Sequence, residues 1–306
     1  MYLVVLICIY NSFAYAEEEK KIEEKTSWEE TFIKSDLYMS KFFNGVAEKI
    51  DLFISRKETS ELRNGTSVRI ENISSSSEGQ YVTNLIHLNV NLRLPNLEEY
   101  WQLKFTTYDE NEENRGVQKG YLRQTPREQN VGASLGLFKK LGKVRTAFQP
   151  RIELQDPLKV SHSLRFDSSA DMKTYEINPK LEFFANPDKG TGVFGAVNFN
   201  FHLSTYYNLN VINEGEYQEK LNLFSSDSGL SLSQKVSADS SLSYNVFFNS
   251  NSRPHYHLDS YSFSVGWNHV IYKKILDYQI VPHLDFPLSN NFKGVAGLVF
   301  VLGVNF

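Results

Sequence analysis

From Thr66 to Phe306 apolar and polar side chains alternate with a period of two. Between Leu85 and Leu94, Ile86, Leu88, Val90, Leu92 and Leu94 share one face, while His87, Asn89, Asn91 and Arg93 share the other. Successive side chains of a strand point to opposite faces, so this spacing predicts strands with one greasy and one wet side. Trp101, Leu103 and Phe105 against Gln102 and Lys104, and Tyr261, Phe263, Val265 and Trp267 against Ser260, Ser262 and Ser264, repeat the pattern without drift. About fourteen such strands fit the chain, an even number as a single-chain barrel with both ends on one side requires. The division is weakest around Gly192 to Val236: odd-numbered apolar residues run from Val193 to Val211, and as one long strand they would leave about twelve.

Before Thr66 the period changes. Ser27 and Glu30 form an S-x-x-E capping box, in which each side chain satisfies an orphan backbone N–H at a helix start. Trp28, Phe32, Met39, Phe43, Val46, Ile50 and Phe53 then recur at steps of three and four, with one position, Ser35 or Asp36, polar, predicting one helix with a narrow apolar seam that ends near Arg56. Such a seam requires an apolar cover. A polar lumen is a poor one, so the helix is expected at the periplasmic mouth, packing by its seam on another helix, a partner or the inner membrane-facing rim. The first 16 residues are apolar from Leu3 to Tyr10 and close on Ala14-Tyr15-Ala16, as a signal-peptidase pocket accepts; the acidic EEEKKIEEK follows. The expected organisation is a cleaved signal peptide over 1–16, a periplasmic acidic segment and helix over 17–65, and a barrel over 66–306.

Composition narrows the classes. Aromatics make up 14% of the chain and the net charge is only −4, with no reason to expect nucleic acid as a partner. The single cysteine, Cys8, lies inside the expected signal peptide, which leaves the remaining chain without disulfides or thiolate metal sites. A soluble β-sandwich would also alternate. Strands of ten or more residues and aromatics near strand ends favour a membrane barrel instead.

The last strand carries a resemblance. Leu298, Phe300, Leu302, Val304 and Phe306 place apolar residues at every second position up to a terminal aromatic. This resembles the C-terminal recognition strand of bacterial outer-membrane barrels of the porin-like type. The layout of capped helix, RNGTSVRIEN, LRLP, DENEEN loop and SRP loop is similar to uncharacterised proteobacterial barrels. The resemblance implies an all-β transmembrane antiparallel barrel preceded by one amphipathic helix, in contact with outer-membrane lipid and recognised by the barrel-assembly machinery during biogenesis. It supplies no activity.

Candidate chemistry lies on the wet face. Lys104, Arg145, Arg151, Glu153, Arg165, Glu176, Lys180 and Glu182 are expected to point into the lumen, where charge sets the selectivity of a pore or braces a closed one. The stretch DENEENRGVQKG reads as a solvated outer loop. Serines are so frequent that a chance pairing with a histidine carries nothing, and His255 and His257 lack a third ligand at suitable spacing, so neither catalysis, a metal nor a cofactor is expected. Two function classes remain, with a lipid-acting barrel enzyme as an outsider. One is a porin-like channel for small polar solutes. The other is a non-conducting structural or binding barrel that engages a partner, or itself, through the outer loops or the helix.

Overall fold

A computed structural model describes residues 28–55, 66–93, 101–117, 129–272 and 275–306, with α1 side chains at 34 and 37–52 only. The expected signal peptide, the acidic segment and the side chains of Trp28, Phe32 and Phe53 lie outside the described residues. Helix α1 is Trp28–Ser55. The strands are β1 Ser67–Ser77, β2 Thr83–Arg93, β3 Trp101–Thr106, β4 Gly132–Leu141, β5 Val144–Glu153, β6 Lys159–Ser168, β7 Tyr175–Asn186, β8 Gly190–His202, β9 Tyr207–Gln218, β10 Leu223–Lys235, β11 Ser240–Asn251, β12 His257–Tyr272, β13 Leu276–Pro287 and β14 Val295–Asn305. Residues up to Met39 form one compact unit, and residues from Ser40 onward another.

Each strand pairs antiparallel with its sequence neighbours. The β6–β7 ladder sets Arg165 opposite Glu182 and Asp167 opposite Lys180, past a two-residue spur at Ala170–Asp171. The ring closes where β1 meets β14, with Arg69 opposite Asn305 and Ile70 opposite Val304. The result is a closed barrel of fourteen strands with no free edge to template aggregation. The long-strand reading of Val193 to Val211 is overturned, because the chain reverses at Leu203–Tyr206 and Leu209 pairs back with Phe201. Apolar residues continue through this turn, which hid it from a reading by periodicity.

Both strand ends that flank the closure lie at one end of the barrel, termed here the terminus end. Turns there are tight: Leu141 and Val144 pair across Gly142-Lys143, and Gly142 takes φ 63, a left-handed conformation that costs glycine little. The far end carries the longest connection, between Thr106 and Gly132. Short turns at one end and a long loop at the other are the asymmetry of membrane barrels.

Register separates an outer from a lumenal face. Outward Ile86, Ile152 and Phe183 are 49%, 46% and 46% exposed, as expected of side chains that face lipid. At the terminus end the outward Val68, Val90 and Leu92 are only 2%, 6% and 2% exposed, because α1 covers them. Ala47 of α1 is fully buried in this cluster, and Phe43, Ile50, Leu103 and Phe306 pack against it. Phe306 is fixed beside Val68 by two backbone hydrogen bonds of 2.8 and 3.1 Å. The covered residues span four neighbouring strand positions, about 14 Å at the usual strand spacing. Met39 and Val46, also in the expected seam, are partly buried.

Candidate functional site

Register places Lys104 on β3, Arg145, Arg151 and Glu153 on β5, Arg165 on β6, and Glu176, Lys180 and Glu182 on β7 in rows that face the lumen. They occupy one wall, β3 to β7, and do not form a ring. The opposite wall is uncharged over much of its height. Ser231 donates to Asn245 at 2.7 Å and Asn245 donates to Ser264 at 3.1 Å, an amide–hydroxyl ladder across β10, β11 and β12.

The stretch expected to be a solvated outer loop is a correction. Its first part folds into the lumen as a strap over 107–117, with Asn111 and Arg115 buried. Asp109 caps a single helical turn, α2 Glu110–Glu113, by accepting from the amides of Asn111 and Glu112. The strap begins on β3, and its Val117 packs against Ile212 of β9 and Phe247 of β11. These strands flank β10, which stands seven places from β3 in the ring of fourteen, so the strap reaches the opposite wall. Arg151 fixes both ends of the loop, donating to Thr106 Oγ1 at 2.7 Å and to the Asn130 carbonyl at 2.6 Å.

Charge holds the strap in place. The Arg115 guanidinium donates to Glu182 at 3.2 Å and to Glu216 at 3.3 Å, and lies 3.7 Å above the centroid of the Phe184 ring. Burial alone would lower its pKa, but Glu216 and Glu182 outweigh that and hold it above the usual arginine value. The Val117 amide donates to Glu214 at 2.9 Å, and Asn198 donates to the other oxygen of that carboxylate at 2.9 Å. Lys180 donates to the carbonyls of Asn114 and Arg115 at 2.5 and 2.8 Å. Lys104 pairs with Glu110 at 2.8 Å, and Lys189 pairs with Glu112. Burial pushes the Asp109 carboxyl above its ordinary range, against the opposing pull of Arg151. Sequence reading missed Arg115, Asp167, Glu214 and Glu216; alternation onto the wet face was the available signal for the three carboxylates, obscured for the last two by the ambiguous division of β8 and β9, and Arg115, outside any strand, had no such signal.

Gly192 seats the Phe184 ring, because a Cβ there would collide with it. Gly192→Val should therefore drive the ring into the Arg115 guanidinium and loosen the strap by about 1–3 kcal/mol. Mass spectrometry of tryptic digests should detect cleavage after Arg115 in that variant and none in the native barrel; equal cleavage would contradict this seating.

Among the described residues no group of three or more His, Asp or Glu is placed to hold a metal ion, and no helix is long and apolar enough to cross a membrane. His255, in a far-end loop, and His257, the first residue of β12, have ring centroids 6.0 Å apart.

An apolar outer surface, a polar lumen and an inward-folded far-end loop define the fold of a membrane β-barrel. No protein-family profile and no curated protein matches the sequence. Among solved structures the chain is similar to the outer membrane channel DcaP of Acinetobacter baumannii, at 6% identity over 80% of this chain and 97% of that one, TM-score 0.49. It is also similar to a loop deletion mutant of OmpT, an outer membrane protein of Vibrio cholerae, at 6% identity over 79% and 99%, TM-score 0.48. A third likeness is to OccK11 of Pseudomonas aeruginosa, at 9% identity over 79% and 96%, TM-score 0.44.

Proposed function

We propose that the protein is a bacterial outer-membrane channel for small polar solutes, delivered by a cleaved signal peptide and set with both chain ends in the periplasm, and that its strap narrows the lumen. The chemistry of the strap's attachment carries this reading. The strap is held to a polar lumen wall by ion pairs and backbone hydrogen bonds, with Val117 as its described apolar contact. Groups of this kind remain compatible with a wetted pore. Solute passage and not catalysis is the activity proposed.

The second reading, a closed barrel that binds a partner, is favoured by the strap's reach to the opposite wall. Planar-bilayer recording separates the two. The channel reading expects discrete current steps from purified, heat-modifiable barrel. No current above bare membrane, from native protein and from the Gly192→Val variant alike, would exclude it.

A further inference from the structure

Between the strap and the terminus end, one side of the lumen opens into a cavity of about 750 Å³. Lys140, Lys143, Arg145, Arg165 and Lys180 surround it against Asp167 and Glu176. We propose that this basin is a binding site for solutes carrying two or more anionic oxygens, as carboxylate or phosphate, and that it makes the channel anion-selective. The selectivity half rests on the channel reading above; the binding half stands on the basin alone.

The charge arrangement is hard to explain by folding needs. Lys140 stands directly opposite Arg145 across the β4–β5 ladder, and like charges so placed destabilise a sheet. One carboxylate, Asp167, serves three cations: Arg165 donates to it at 3.0 Å, while Arg145 and Lys180 are its register partners on either side. Glu176, the other carboxylate, is engaged by Ser169. At the strap, by contrast, the carboxylates Glu182 and Glu216 meet Arg115, and Glu214 meets an amide N–H. The basin thus holds positive charge in excess of its own carboxylates, in a concave site where low-dielectric walls focus the field. Lys180 forms its roof. Two of the three N–H donors of its ammonium bind strap carbonyls, which fixes the charge in position and leaves a third donor.

The test uses the full chain folded in detergent, with heat-modifiable mobility as proof of the barrel. Citrate and pyrophosphate are titrated calorimetrically at low ionic strength, with glucose as the neutral control. One or both anions should bind, glucose should not, and the affinity should fall as salt screens the site. Which anion binds assigns the site to carboxylate or phosphate. The double variant Lys140→Gln/Arg145→Gln relieves a like-charge contact, so it should fold, and it should bind each recognised anion at least tenfold more weakly. Neither anion binding, or affinity unchanged in that variant, would overturn the site.

Selectivity is read separately. Under a potassium chloride gradient the native channel should show an anion-selective zero-current potential that moves toward cation selectivity in Arg145→Glu; a cation-selective native channel would overturn that half. A barrel that binds citrate but carries no current would defeat the channel reading alone, and an open channel that binds neither anion would defeat the basin alone.

Discussion

Replacing Arg115 by methionine is expected to raise single-channel conductance several-fold and expose the strap to protease, while the barrel keeps its heat-modifiable mobility. Arg115 is buried against the carboxylates of Glu182 and Glu216. Removing one partner from a buried ion pair costs about 3–5 kcal/mol, because the charge left behind has lost its solvent without gaining a counterion. The remaining described bonds of the strap to β7 and β9 are few. Those from Lys180 and to Glu214 involve charged groups, worth roughly 1.5–3 kcal/mol each, so the loss at Arg115 is comparable with much of what remains. The strand ladders do not pass through Arg115, and the barrel has no reason to open. Lysine should rescue poorly, since an ammonium cannot reproduce the forked guanidinium contact with two carboxylates and the flat seat on Phe184. Adding Glu182→Gln and Glu216→Gln to the methionine variant removes the stranded charges and should return part of the docking. Unchanged conductance together with protease cleavage within the strap would show that the strap is not the narrow part of the pore.

The strands were legible because a half-buried sheet forces period two, and in a barrel every strand is half-buried in the same sense. Boundaries such as Ser67 and Lys159 follow from where that period breaks. The strap was illegible for a physical reason. Asp-Glu-Asn-Glu-Glu-Asn-Arg has no apolar signal, and a charged run is normally a wet one. What buries it is complementary charge 67 and 101 residues further along the chain, at Glu182 and Glu216, which no local window brings together. Ala47 was hidden by the opposite effect. A seam drawn from large side chains passes over a small residue, although its size is what lets the helix backbone approach Val68, Val90 and Leu92.

The helix yields the second large effect. Replacing Phe43 and Ile50 by aspartate should detach the described part of α1 from the barrel, raise its protease sensitivity by one to two orders of magnitude, and leave both heat-modifiable mobility and conductance unchanged. Fully burying an aromatic or aliphatic side chain of this size is worth roughly 1.5–3 kcal/mol, and these two are partly buried, so the pair contributes about 2–4 kcal/mol before the cost of placing carboxylates in an apolar contact. Conductance should not respond because of register. Val68, Val90, Leu92 and Leu103 lie on the outward rows, whereas the lumenal rows of the same strands carry Arg69, His87, Asn89 and Lys104. The same geometry explains why the seam can be apolar: its cover is the barrel's own outer wall at the terminus end and not the water of the lumen. Beside it Phe42 is 54% exposed and meets Phe43 edge-to-face at 5.4 Å, while Lys41, Glu48 and Lys49 are solvated. An aromatic next to charged residues on a helix packed on the barrel's outer wall at the terminus end suits the boundary between lipid and water. Ala47→Asp, which inserts a charge at the fully buried centre of the contact, should reproduce the detachment alone. If the Phe43/Ile50 variant instead changes the current and leaves protease sensitivity untouched, the helix acts within the lumen and its placement on the outer wall is wrong.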